Sequence, residues 1–197
     1  MTEAQLGRGQ RDDPYRYRQG WSASARLTAS QRVREAVQQG SDLLEVAEHT
    51  AGIIREILVA ARVSFTLMDE VEFRDLVNVG DLYQDQVRFP THQTYPTSTY
   101  PAATARLLAH EGYISTSSGL DVIREYIETS TRPIVGCFMG VPIAAAGEVM
   151  GELFALRSPE APPFLPEDLE VATDFATQFG TRLPALIAAR SASDPSW

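Results

Sequence analysis

IVGCFMGVPIAAAGEVMGELFALRSPEAPPFLPEDLEVATDFATQFG, residues 134–180, decides the fold of this 197-residue chain. Its first twelve residues are apolar and rich in β-branched side chains, a composition and length that suit a buried strand. Ala146-Gly147-Glu148 supplies a turn, and residues 149–157 form a second apolar run, so the pair reads as an antiparallel hairpin. A proline-rich loop follows at 158–166. Phe164 is its one aromatic residue and is expected to plug into the core. Glu167 and Asp168 then open a helix, where carboxylates meet unpaired N–H groups and the positive end of the helix dipole. Ala172, Phe175, Phe179, Leu183 and Leu186 give that helix an apolar stripe.

Ahead of the hairpin, residues 63–68 (VSFTLM) alternate, with Val63, Phe65 and Leu67 on one face and Ser64, Thr66 and Met68 on the other. Period two makes this a strand. An acidic loop, 69–72, leads to a second strand at 73–79 that Gly80 closes. The acids of that loop lack the alternate oxygen spacing around a glycine that a calcium loop needs, and they read as a solvated turn. Residues 84–101 form a polar connection rich in proline and tyrosine, ending in Tyr95-Pro96-Thr97-Ser98-Thr99-Tyr100-Pro101. A helix at 102–110, a short strand at 113–116 and a helix at 121–128 complete the series.

From Thr28 onward, Val33, Val37, Gly40, Leu44, Ala47, Ala51, Ile54 and Leu58 recur at alternating intervals of four and three. That 3.5-residue period is the seam of a coiled coil or helical bundle. Gly40-Ser41 interrupts it, and Ser41 with Glu45 nearby suits a fresh helix start. Two helices, or one kinked helix, are expected to pack on the terminal helix. The stripe is read as a dimer interface built from Val37, Leu44, Ala47, Ala51, Ile54, Phe175, Phe179 and Leu183. Residues 1–27 read as a disordered tail, 28–190 as one domain and 191–197 as a second short tail.

Charge narrows the partners. The chain contains no lysine, which excludes a Schiff base and a P-loop lysine. Residues 1–34 carry seven arginines against Glu3, Asp12 and Asp13, whereas the remainder carries ten against twenty-three acids. An acidic body repels nucleic acid, so any such contact would run through the tail, where aromatics and arginines interleave at 14–21. A solvated tail lying on its own acidic body is the simpler reading of that segment. No apolar run reaches the ~18 residues a membrane span needs, and no signal-peptide core is present, so a cytoplasmic protein without membrane attachment is expected.

The order of elements resembles the closing half of a GAF domain. The residues that carry the likeness are the strand, the glycine turn, the strand with Gly151-x-Leu153, the loop ending in Phe164, Asp168 four residues on, and the terminal amphipathic helix. The resemblance extends over roughly residues 41–190. It implies an α+β fold with a central antiparallel sheet of five or six strands. The first and last helices would share one face, and short helices and the Tyr95–Pro101 loop would cover a pocket on the other. It further implies a regulatory homodimer that binds a small-molecule effector and signals to a partner protein. A ligand-free interaction module is the alternative. Two activities of similar domains are struck off by departures from their patterns. Covalent bilin attachment uses a cysteine in the pocket-covering helix region, and methionine sulfoxide reduction uses several cysteines. Here Cys137 stands alone, on a strand, where it reads as a small buried hydrophobe. The Asn-Lys-x-x-Phe-x-x-x-Asp-Glu signature of cyclic-nucleotide binders is absent.

Catalytic motifs are missing: no GxSxG elbow, no GxGxxG fingerprint and no histidine pair at i, i+4 among His49, His92 and His110. A non-enzymatic protein is expected. His110 ends a helix, where an imidazolium caps unpaired carbonyls. The other reading has His110 or His92 facing the pocket, to bind an effector or serve as the single axial ligand that haem requires. No cofactor is demanded by the residues. Candidate ligand-binding residues are Tyr95, Thr97, Thr99, Tyr100, His110, Tyr113 and Phe138, polar groups and one ring wall of an otherwise apolar pocket. Loop and core packing of the same tyrosines is the competing explanation.

Overall fold

The computed structural model describes residues 20–80, 94–116 and 136–194. Helix α1 (Ala23–Gln38) and helix α2 (Leu43–Leu58) precede strands β1 (Arg62–Met68) and β2 (Glu72–Gly80). Strand β3 (Thr94–Pro96), a single 3-10 turn at Thr97–Thr99, helix α3 (Pro101–Leu108) and strand β4 (Tyr113–Thr116) follow. The hairpin β5 (Cys137–Ala145) and β6 (Glu148–Arg157) leads to the long helix α4 (Pro166–Ser193). The helix expected at 121–128, the residues 81–93 that include His92, and the opening residues of the expected hairpin strand lie outside the described residues.

Six strands form one antiparallel sheet in the order β3-β2-β1-β6-β5-β4. The hairpin read from the sequence sits at its centre, with the turn confined to Ala146-Gly147 and Glu148 already paired to Ala145. Strand alternation sends two sets of side chains to opposite faces. Val63, Phe65, Leu153, Ala155, Met139 and Val141 point toward α2 and α4 and form the main core with them, and α1 packs on those two helices. Phe65 stacks on Phe179 of α4 with ring centroids 4.2 Å apart. Helix α4 can lie this close because Gly180 abuts the backbone of β5, where a side-chain carbon would overlap the Ala144 carbonyl oxygen.

The helical stripe needs no second chain. Val37, Ala47, Ala51, Ile54, Phe175, Phe179 and Leu183 are all buried within this single chain, and only Leu44 keeps partial exposure. The 3.5-residue pattern therefore records the seating of α2 on the sheet and of α1 on α2 and α4, which corrects its reading as an intermolecular seam. Two boundaries also move. Asp42, not Ser41, caps α2, its Oδ1 accepting the N–H groups of Leu44 and Glu45 at 2.9 and 3.1 Å. Helix α1 starts at Ala23 under a Ser22 cap, five residues inside the segment assigned to the tail, while residues 1–19 lie outside the described residues. At the other end α4 continues to Ser193, past the expected boundary at 190.

A buried ion pair ties the pieces together. Arg157, at the end of β6, lies 3.3 Å from Asp168 in the first turn of α4, their side chains 2% and 5% exposed. The guanidinium also donates to the Leu58 carbonyl at the end of α2 (2.6 Å) and to the Pro162 and Pro163 carbonyls (3.2 and 3.0 Å). It lies 4.1 Å from the centre of the Phe164 ring, which enters the core as the loop composition implies. Asp168 accepts from the Leu165 N–H (3.0 Å) and from the Trp21 indole (2.9 Å). One arginine thus donates to carbonyls of both a helix end and a proline loop, groups that a helix terminus and imide nitrogens supply with few donors of their own.

Candidate functional site

The face of the sheet opposite α1, α2 and α4 carries the chemistry. Phe73, Tyr113, Phe138, Leu156 and Met68 pack there with Ala103 and Leu107 of α3, and Tyr95, Tyr100 and Phe154 border them. Across this apolar surface runs a polar row. Asp75 on β2 pairs in register with Thr66 on β1, Thr66 pairs with Glu152 on β6, and Gly140 on β5 pairs with Tyr113 on β4. A bulge in the β1–β2 ladder, between Phe65 and Thr66, brings Asp75 opposite Thr66, where it shares the far face.

Gly140 makes the row continuous. A side-chain carbon at this position would overlap Glu152 Oε1 and come within 2.5 Å of the Tyr113 ring and hydroxyl. The empty site lets the Glu152 carboxyl and the Tyr113 phenol meet over the strand, where the hydroxyl donates to Glu152 Oε1 at 2.7 Å. At the other end of the row, Asp75 Oδ1 accepts from Thr66 Oγ1 (3.1 Å) and the Tyr95 hydroxyl (3.3 Å), and its Oδ2 from the Asn78 amide (3.4 Å). Arg62 in turn donates to the Asn78 carbonyl oxygen.

Both acids are out of water, Asp75 6% and Glu152 7% exposed. Burial pushes the Glu152 carboxyl up to about 7; the Tyr113 hydrogen bond opposes the shift and the nearby Asp75 charge adds to it. Burial also raises Asp75, against the pull of Asn78, Thr66 and the Arg62 charge. The Tyr95 and Tyr113 phenols are raised as well, chiefly by burial, and serve as donors at any ordinary pH. Among the described residues, the Tyr113 hydroxyl is the one hydrogen-bond partner of the Glu152 carboxyl.

The sequence candidates divide accordingly. Tyr95, Tyr100, Tyr113 and Phe138 meet on this face. Thr97 spends its hydroxyl on the Glu70 and Val71 carbonyls, and Thr99 is exposed. His110 is also exposed, in the left-handed conformation just past α3 (φ 59°), so neither it nor the two threonines joins the cluster. The sequence reading missed Asp75, Thr66, Gly140, Glu152, Phe73 and Phe154. The available signal was a carboxylate inside each of two strands, Phe73-Arg74-Asp75-Leu76 and Gly151-Glu152-Leu153-Phe154. In a strand covered on both sides, such a charge demands a partner.

Cys137 is buried on the helix side, its sulfur accepting from the Phe164 N–H at 3.4 Å, and burial raises its thiol. Among the described residues no three His, Cys, Asp or Glu side chains gather to hold a metal ion. An open cleft of about 600 Å³ lies between α1 and the proline loop, lined in part by Trp21, Arg32, Arg157 and Asp168. Its charged and indole groups hold elements together: Arg157 to Asp168, Trp21 to Asp168, and Arg32 to Glu56 at 2.8 Å. It reads as a joint between elements. No helix among the described residues is long and apolar enough to cross a membrane.

Comparison with known proteins agrees with this architecture. The family model for the GAF domain matches residues 42–183. The GAF domain of an Acinetobacter phosphoenolpyruvate-protein phosphotransferase superposes with a TM-score of 0.65 at 14% identity, covering 87% of this chain and 97% of that one. The chromophore-binding domain of an unusual bacteriophytochrome from R. palustris superposes with a TM-score of 0.64 at 13% identity, covering 87% of this chain. The present chain spans 64% of that fragment. At such identities these likenesses concern the fold alone. No curated protein matches the sequence. With the family model covering well over half its length and a six-stranded antiparallel sheet backed by its terminal helices, the chain belongs to the GAF domain family, a family of signalling and sensor domains that bind small molecules.

Proposed function

We propose that this protein is a non-enzymatic sensor that binds a small-molecule effector on the far face of its sheet, between α3 and the Asp75–Thr66–Glu152–Tyr113 row. The observation that carries this reading is the Glu152 carboxyl, buried among aromatic rings with a single hydrogen-bond partner among the described residues. A group of this kind costs folding free energy unless something completes its hydrogen bonding. A ligand does so, and a binding site retains such a cost where a structural core would discard it.

Binding is relayed through the sheet. Glu152 and Leu153 are neighbours on β6 and point to opposite faces, so a shift of the strand on the ligand side reaches the packing of α1, α2 and α4. A ligand moves that packing only as far as it binds one arrangement better than another. Hand-over to a partner protein, and pairing with a second copy, are parts of the proposal that use a surface other than the buried helical stripe. Native mass spectrometry of freshly purified protein, with an absorbance scan from roughly 350 to 450 nm to reveal haem, tests the reading. A noncovalent adduct lost on denaturation is the expected result. A ligand-free protein whose melting temperature ignores a broad metabolite panel would favour a module that binds only proteins.

A further inference from the structure

The same far-face row carries information about what the effector must be. Two carboxyl groups stand on it, with β1 between their strands, and neither forms an ion pair with an arginine among the described residues. The chain has no lysine to offer an ammonium group. Arg62 lowers Asp75 by its charge and donates to the Asn78 amide, and among the described residues the one charge acting on Glu152 is the repulsive one of Asp75. Glu152 therefore keeps one carboxyl oxygen for which the described residues provide no donor.

Rings flank both acids. Phe73, Tyr95 and Tyr100 cluster at the Asp75 end, with centroids 5.3, 5.5 and 6.5 Å apart. Tyr113, Phe138 and Phe154 cluster at the Glu152 end, at 6.3 and 5.6 Å. Ring faces attract cations, and more so out of water. Carboxyl groups combined with rings repel an anion and leave a neutral guest facing an uncompensated charge. A calcium or magnesium ion asks for a compact set of six or more oxygens and zinc for three or four His, Cys or carboxylate ligands, and no cluster of three His, Cys, Asp or Glu is present among the described residues.

We propose that the effector is a small organic cation, a primary amine or amidine, whose N–H groups complete the hydrogen bonding of Glu152 while its apolar body lies against the Tyr113, Phe138 and Phe154 rings. This rests on the far-face reading above and adds the charge and donor pattern of the guest. The net charge of −9 works in the same direction, since an acidic protein draws cations toward it.

The test uses matched probes on the full chain at pH 7.5: benzylamine against benzyl alcohol, and benzamidine against benzamide and benzoate, by calorimetry and thermal shift. The cations are expected to bind at least about tenfold more tightly than their neutral partners, as charge-assisted hydrogen bonds exceed neutral ones. Glu152→Gln should erase that preference while the protein stays folded, and Asp75→Asn should weaken it. Neutral probes or benzoate binding as well as the cations, with the response lost in Phe154→Ala, would overturn the cation assignment and leave the far-face site standing. Cation binding untouched by both acid substitutions would place it at surface acids and overturn the assignment. So would the absence of any response to the cations, even where native mass spectrometry finds another guest.

Discussion

The Tyr113 hydroxyl donates to Glu152 Oε1 at 2.7 Å, above the bare α-carbon of Gly140. Three strands contribute to this contact: β4 the phenol, β6 the carboxyl, and β5 the glycine that leaves them room. A methyl group on Gly140 would occupy the volume of the carboxyl oxygen. Gly140→Ala is expected to push the pair apart and cost about 1–3 kcal/mol, the range for overpacking a filled interior. The cost should shrink in a Tyr113→Ala background, where the methyl has room. A chemical-denaturation double-mutant cycle measures this, and strictly additive effects would show that the three residues do not share the space.

Glu152 makes stability depend on pH. Its folded-state value of about 7 lies above the ordinary 4.5, so between those values the folded chain holds a proton that the unfolded chain has released. Stability therefore falls as pH rises from about 4.5 to about 7 and levels off above. The loss from this one group is about 3 kcal/mol. Asp75, also raised, adds to the fall in the same direction. Glu152→Gln should remove most of the slope and leave the variant more stable than wild type at pH 8. Equal slopes in the two proteins, from urea melts across the pH range, would show that Glu152 is not held in this environment.

Arg157→Met keeps much of the side-chain volume and removes the charge from beside Asp168. It takes the guanidinium from a buried carboxylate that still accepts from the Trp21 indole and the Leu165 N–H, and removes the hydrogen bonds Arg157 gives to the Leu58, Pro162 and Pro163 carbonyls. The expected cost is about 3–5 kcal/mol, the range for breaking one side of a buried pair. Arg157→Met combined with Asp168→Leu should recover part of it, because no lone charge then remains. Thermal melts of the three proteins decide the matter.

Deleting residues 1–26 tests where the folded chain begins. Composition alone places these residues in a solvated tail, for which removal would leave the melting temperature unchanged. The structure gives Trp21 a hydrogen bond to Asp168, Ser22 the cap of α1, and Arg26 an ion pair with Glu170 at 2.8 Å. The deletion should therefore lower stability by about 2 kcal/mol, mostly through the indole and the cap. A truncation at residue 19 provides the control that leaves all three contacts in place.

Elements with one strong local pattern were legible in the sequence. Residues 63–68 alternate cleanly, and the 3.5-residue stripe of α2 and the acidic start of α4 mark helices that the structure places close to their expected positions. What that stripe packs against was not legible, because an apolar face reads the same whether its cover is a second subunit or the chain's own sheet. The site was half legible. Tyr95, Tyr100, Tyr113 and Phe138 stand out by residue type. Asp75 and Glu152 do not, since a carboxylate within a strand looks like a solvent-facing position until the register of β1, β2 and β6 shows both faces covered. Gly140 was hidden for a similar reason: its role depends on side chains from two other strands.

The most direct measurement of the central claim is ligand-induced chemical-shift mapping on protein labelled at carboxyl, aromatic and methyl carbons, with a library of small fragments. The account predicts that the tightest-binding fragments perturb Glu152, Asp75, Tyr113, Phe138 and Phe154 together, and that the Glu152 carboxyl signal moves most. Perturbations confined to Trp21, Arg32 and Ile57, around the cleft beside α1, with the far-face signals unmoved, would contradict it.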